Sequence, residues 1–165
     1  MSGAQLRDSM MRDAEDMAKW FPREDVRYFF PMINEIESKD AALRWVSFCR
    51  YGASVSAEIN GQFVGIATLY LQPYKRLMHN CEMGIIVAPE CRGQGIGSLL
   101  MEAIIKKAKE TFHIEVLHLQ VHPNNPAVKL YERFGFRQFG LQEKWIKGDE
   151  AGQYHGRALM EKILT

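Results

Sequence analysis

This sequence is short of almost everything that would mark a specialised class. Its charge is nearly balanced, +1 from 21 basic and 20 acidic residues, so the strong basic excess of a general nucleic-acid binder is missing. Cysteine is scarce: Cys49, Cys81 and Cys91 are odd in number, widely spaced and form no CxxC pair. That pattern argues against a disulfide framework and against a metal site, and reads as free thiols in a reducing cytosol. No apolar run approaches the ~20 residues that cross a bilayer. The start, "MSGAQLRDSMMRDAEDM", has no apolar core of signal-peptide type. Repeats, low-complexity segments and linkers are also missing. These absences predict a cytoplasmic protein with no membrane and no nucleic-acid partner.

What is present is an ordinary globular composition. The 165 residues, 47% of them apolar, suit a single domain spanning 1–165. The first part predicts two or three helices. Met11, Ala14, Met17 and Ala18 recur at helical spacing before Pro22, and Glu35 to Cys49 is a second amphipathic run with Ile36, Ala42, Leu43, Val46 and Cys49 on its apolar side. The texture then turns to β. "ASVSAEINGQFVGIATLYL" reads as a hairpin around Asn60-Gly61, and "CEMGIIV" as a third strand. From about Gly97 a helix carries Leu100, Ala103, Ile104 and Ala108 inward. "EVLHLQV" follows as a strand, "PAVKLYERF" as a short helix with Pro126 in its first turn, and two more strands close the chain. The unit from Glu82 to Val121 is βαβ, which forces a parallel pair and hence a mixed sheet.

The stretch "VAPECRGQGIGSLLMEAI" places Gly93, Gly95 and Gly97 at every second position, between a strand and a helix. A phosphate-binding P-loop needs a lysine before Ser98, and none is there. A dinucleotide fingerprint needs one more residue between the last two glycines. A more general reading is a turn that bares backbone N–H groups at a helix start, where the helix dipole favours an anion such as a diphosphate. The bland alternative is a tight strand-to-helix connection with no ligand.

Arg92-x-x-Gly95-x-Gly97 after "IIVAPEC" resembles the signature of the GNAT superfamily of acyl-CoA-dependent N-acyltransferases. "NPAVKLYERFGF" is similar to that family's second motif, "QYHGRALMEKIL" to its closing strand, and "LRDSMMRDAEDMAKWF" to its first strand and helix. The resemblance implies an α/β fold with a mixed, mostly antiparallel central sheet of six to seven strands. A parallel pair lies at the cofactor cleft, and about four helices flank the sheet. It also implies acetyl transfer from acetyl-CoA to a primary amine, either a small molecule or a peptide N-terminus, by direct attack in a ternary complex. A homodimer is compatible with the family.

Residue roles follow from the same resemblance. The loop Arg92, Gly93, Gln94, Gly95, Ile96, Gly97 and Ser98 would hold the pyrophosphate, and the strand Ile85, Ile86 and Val87 would pair with the pantetheine arm by β-augmentation. Tyr131 of Leu130-Tyr131 would line the cofactor and act as general acid toward the leaving thiolate, since a phenol donates a hydrogen bond without being charged. Glu82 would be the base, directly or through water; His79, His118 and His122 are rivals, imidazole titrating near neutral pH. The motif asparagine is Asn124 counted back from Tyr131 and Asn125 counted forward from Val121. Gly84 inside its strand points to a bulge or a close approach. Lys106, Lys107, Lys109, Lys129 and Arg133 could meet a 3′-phosphate, although solvated helix faces explain them as well. Trp20, Tyr28, Phe29, Phe30 and Trp45 divide between core and substrate walls. Two competing functions are a non-catalytic acyl-CoA sensor on the same fold and an unrelated nucleotide-binding protein.

Overall fold

The computed structural model describes residues 3–165. Its centre is one seven-stranded sheet in the order β1-β2-β3-β4-β5-β7-β6. The strands are β1 (Gln5–Asp8), β2 (Ser54–Ile59), β3 (Gln62–Tyr70), β4 (Asn80–Val87), β5 (Val116–Val121), β6 (Arg137–Lys147) and β7 (Tyr154–Ile163). The helices are α1 (Asp13–Ala18), α2 (Glu24–Arg27), α3 (Glu35–Ser47), α4 (Ile96–Glu110) and α5 (Ala127–Arg133). Every neighbouring pair is antiparallel except β4 and β5, as the βαβ reading requires. No helix is long and apolar enough to cross a membrane among the described residues.

The hairpin forms where the Asn-Gly signal places it. Ile59 pairs with Gln62, and both Asn60 (φ 51°) and Gly61 (φ 79°) adopt the left-handed conformation that a two-residue turn needs. β3 is central, and seven consecutive residues from Phe63 to Leu69 are buried because helices cover both of its faces. On one face α4 packs with Ile96, Leu100, Met101, Ile104 and Ala108 buried; Ala103 is only half-buried. On the other, α1 and α3 pack together, and Thr68 of β3 donates to the Trp45 carbonyl at 3.0 Å.

α3 corrects one expectation. It starts at Asn34, whose side chain accepts from Glu37 N at 2.9 Å, while Glu37 accepts from Ile33 N at 2.8 Å, a reciprocal cap. Its inner face is Ser38, Ala42 and Val46, and Ile36 and Leu43 point to solvent at 81% and 51% exposure. α1, with β3 beyond it, meets only a narrow stripe of this helix, so the apolar residues outside that stripe stay wet.

The N-terminal segment is locked to the sheet by charge. Arg7 of β1 bridges the buried Asp13 of α1 at 2.7 Å and Glu58 of β2 at 2.8 Å. Ser56 also donates to Asp13, at 2.9 Å. Burial pushes the Asp13 carboxyl up, but its bonds from Arg7, Met10 N and Ser56 outweigh that and hold it below the usual range.

The feature that makes a site is a splay. β4 pairs with β3 continuously from Glu82 to Val87, but with β5 only at Asn80, Cys81 and Glu82. Beyond Glu82 the two parallel strands part. The β5-side backbone of Met83 to Val87 is therefore left without a strand partner, which a folded chain rarely tolerates unless something else pairs with it. Gly84 is not the cause, since the β3–β4 register runs through it without a bulge. Its role is close approach: a Cβ there would lie 2.8 Å from Tyr70 Oη and 2.9 Å from the Trp45 ring.

Candidate active site

Two connected cavities fill the splay. The first, about 230 Å³, lies at the α4 start and is lined by Ile85, Ile86, Val87, Arg92, Gly93, Ile96, Gly97 and Asn125 among others. The second, about 830 Å³, lies on the α3 side of the sheet and holds Glu82 and Tyr131. Phe30, Ile85, Asn125 and Ala127 line both, so the two form one continuous cleft.

At the narrow end the glycines do what bare backbone allows. Gly93 (φ 74°) and Gly95 (φ 82°) are left-handed, and Gly95 is the N-cap of α4 with no side chain to cap it. The first helical bond runs from Leu99 N to Gly95 O at 3.1 Å. The N–H groups of Ile96, Gly97 and Ser98 thus have no helix partner, and the dipole of a 15-residue helix stands behind them. Gly97 allows the contact of α4 with α5, where a Cβ would lie 3.1 Å from Leu130 Cδ2. Gln94, Gly95 and Ser98 do not line either cavity. Gln94 is exposed, with its amide 3.5 Å from the Glu90 carbonyl.

The two asparagines separate. Asn125 faces the cleft and its Oδ1 accepts from Ala127 N at 3.0 Å, opening α5; Asn124 is exposed and lines neither cavity.

At the wide end strand alternation gathers the polar groups. Tyr70 lies opposite Glu82 in the β3–β4 register, and Glu82 opposite His118 on β5, so all three share the α3 face with Gln120 and His122. Gln120 and His122 reach the cavity; His118 and His79 do not. Burial raises the Glu82 carboxyl above its usual range, and His118 and Arg157 pull it back only in part. Arg157 itself is spent on Gln120 and Gln142 and sits over the Trp145 ring at 5.1 Å. Tyr131 is buried, packs edge-on to Phe136 at 6.0 Å, and its phenol is pushed far up by burial. It stays protonated at neutral pH and is a donor.

His122 is removed as a base by its own geometry. Its Nδ1 accepts from Asn124 N at 3.1 Å, so that nitrogen carries a lone pair and the neutral ring holds its hydrogen on Nε2. Burial and His155 lower its pKa further. A ring fixed in this tautomer has no free lone pair to take a proton from an amine.

The aromatic set divides as well. Phe29, Phe30 and Trp45 line the wide cavity. Trp20 is core, stacked on Phe63 at 5.2 Å and 7°, and Tyr28 packs outside against His122 and His155. None of Lys106, Lys107, Lys109, Lys129 and Arg133 lines the cleft. The residue that sequence reasoning missed is Tyr70, whose buried hydroxyl has no hydrogen-bond partner. Its pairing with Glu82 crosses the connection 71–79, which no hairpin signal registers.

The sequence model of the Acetyltransferase (GNAT) family matches residues 9–136. The chain belongs to this family. Among GNAT relatives, the L-amino acid N-acetyltransferase of Escherichia coli (strain K12) is 31% identical over 106 residues, covering 64% of this chain and 64% of that one. This chain thus matches just under two thirds of that relative's length. The spermine/spermidine N(1)-acetyltransferase of Bacillus subtilis (strain 168) is 28% identical over 110 residues, 64% of this chain and 72% of its own. A Salmonella typhimurium acetyltransferase, solved with its cofactor acetyl-CoA, shares the fold with a TM-score of 0.79 at 17% identity, covering 99% and 95% of the two chains.

Proposed function

We propose that this GNAT chain, as one domain, transfers the acetyl group of acetyl-CoA to a primary amine by direct attack in a ternary complex. The observation that carries the reading is the cleft itself: an unpaired β4 edge runs from the uncapped glycine turn to Glu82, with Tyr131 across the gap. Those features suit the donor. The free N–H groups of α4 match a diphosphate, and the edge of Ile85 to Val87 matches an arm bearing amides. The relatives' acetyl transfer to amino acids and polyamines supports the reaction class.

The bound donor supplies an activated thioester. The chain moves the protons: one from the ammonium to Glu82, and one to the leaving sulfur from Tyr131, a loss made good by the proton the amine gives up on attack. An alkyl amine has a pKa near ~10, so only about one molecule in a thousand is neutral at pH 7. Glu82, ionised yet held at a raised pKa by burial, takes the ammonium proton directly or through water. Tyr131, kept neutral, donates its hydroxyl hydrogen toward the departing sulfur. Asn125 holds the α5 start and faces the arm. Among the described residues no cysteine lines the wide cavity beside Glu82 and Tyr131, and Cys91 stands at the narrow end of the cleft, which fits direct attack rather than a cysteine-bound acetyl group.

The test is calorimetric titration with acetyl-CoA, ATP and NAD, followed by thiol release with an amine panel. Selective acetyl-CoA binding with amine-dependent thiol release is expected. Binding without turnover of any amine would leave a sensor. Tighter binding of ATP or NAD would overturn the donor assignment.

A further inference from the structure

The walls of the wide cavity bear on which amine enters, given the acetyl-transfer reading above. They are strongly aromatic, including Phe29, Phe30, Trp45, Phe48 and Trp145, and carry two charges, Glu82 and Arg44. Arg44 is a surface group at 78% exposure, tied to Asp40 at 2.8 Å. Among the described residues, Glu82 is the one carboxylate that lines the cavity. Directly opposite it in the strand register stands Tyr70, its hydroxyl buried without a partner beside Gly84. A buried phenol left unpaired is unfavourable, and an incoming N–H donor would satisfy it.

This set discriminates by charge. One ammonium can donate to Glu82 and to the Tyr70 oxygen while aromatic faces attract it as well. A polyamine brings further ammonium groups that must leave water with no second buried carboxylate to receive them. A free α-amino acid brings a carboxylate one carbon from the nitrogen that Glu82 would hold; the neutral His122 Nε2–H is a donor for it in the cavity, but no buried cation offsets its repulsion from Glu82 among the described residues. The aromatic walls favour an apolar neighbour to the amine.

We propose that the acceptor is a primary amine with a single positive charge and an adjoining apolar or aromatic group, its nitrogen bound by Glu82 and Tyr70 and its apolar part by Phe29, Phe30 and Trp45. Both L-amino acids and polyamines are then poor acceptors, unlike those of the two relatives. A small amine and a peptide N-terminus beginning with an apolar residue share this chemistry.

The test is direct binding, which does not depend on turnover. The full chain is titrated calorimetrically with L-phenylalanine amide, a tetrapeptide amide beginning with phenylalanine, L-phenylalanine and spermidine, first alone and then with saturating coenzyme A. The amide or the peptide is expected to bind at least about tenfold tighter than L-phenylalanine and spermidine in one of the two conditions. Preference for the amide alone assigns a small-molecule acceptor, and equal binding of the peptide assigns an N-terminus. Spermidine or L-phenylalanine binding as tightly as the amides, or no amide binding in either condition, overturns the proposal. Glu82→Gln is expected to shrink the preference for amide over free amino acid to about threefold or less; an unchanged preference overturns the role given to Glu82. Amides that bind with this preference but are never acetylated would instead overturn the acetyl-transfer reading, and with it the word acceptor, while the recognition of a singly charged amine by Glu82 and Tyr70 would stand.

Discussion

Replacing Gly95 by alanine separates what the glycine turn does for the fold from what it does for the donor. The residue sits at φ 82° and ψ 0°, and nothing lies within 4 Å of the position its Cβ would take. Crowding is therefore no part of the effect. The left-handed conformation alone costs an alanine ~1–2 kcal/mol. In a chain of this size that lowers Tm by roughly 2–8 °C. Gly152, at φ 80° in the β6–β7 turn with equally open space, carries the same strain in a turn that lines neither cavity. Gly95→Ala and Gly152→Ala should thus melt at similar temperatures, measured by circular dichroism. Only Gly95→Ala should also weaken acetyl-CoA, by about tenfold or more, because its methyl group stands beside the free N–H groups of Ile96, Gly97 and Ser98. Equal coenzyme affinity in the two variants, at equal stability, would refute the claim that this turn holds the diphosphate.

Four further outcomes are expected. Tyr131→Phe should lower kcat by about 10²-fold with acetyl-CoA affinity nearly unchanged, the size of a lost general acid; full turnover would pass the role to water. The acidic limb of kcat/KM should lie above the ordinary carboxylate range, since burial raises Glu82 and the base works only when ionised, and Glu82→Gln should abolish that limb. The same raised pKa contributes stability that is full below the unfolded value and is lost as pH rises through the folded one. Glu82→Gln should therefore melt higher than the parent at neutral pH, and an equal or lower Tm would contradict the burial argument. Arg7→Met leaves the buried Asp13 carboxylate without its counter-charge, held only by Met10 N and Ser56, and should destabilise by about 3 kcal/mol in denaturant melts. Because Asp13 titrates low, its contribution is lost as pH falls through that depressed pKa, so parent and variant should converge in acid.

Local chemistry made parts of this fold legible. Asn60-Gly61 declares its turn because few other pairs accept two left-handed residues in a row. The glycine turn and the inward face of α4 follow from backbone freedom and period alone. Where packing partners decide, sequence is mute. α3 offers apolar residues on a wide arc, and only contact with α1 and β3 selects Ser38, Ala42 and Val46 over Ile36 and Leu43. The alternation of His118, Gln120 and His122 announces a shared face, but only the splay of β4 from β5 decides which of them reaches the cavity. Gly84 reads equally as bulge or close approach until Trp45 and Tyr70 arrive from distant elements. The two asparagines stand side by side, and the bond from Ala127 N, not their spacing, turns Asn125 inward.

The most direct test of acetyl transfer is mass spectrometry of an incubation containing the full chain, acetyl-CoA and L-phenylalanine amide or spermidine, with Tyr131→Phe as control. The account predicts an amine heavier by one acetyl group, formed in step with free coenzyme A and far more slowly by the variant. No acetylated amine from either acceptor, with a folded protein that binds acetyl-CoA, would contradict it.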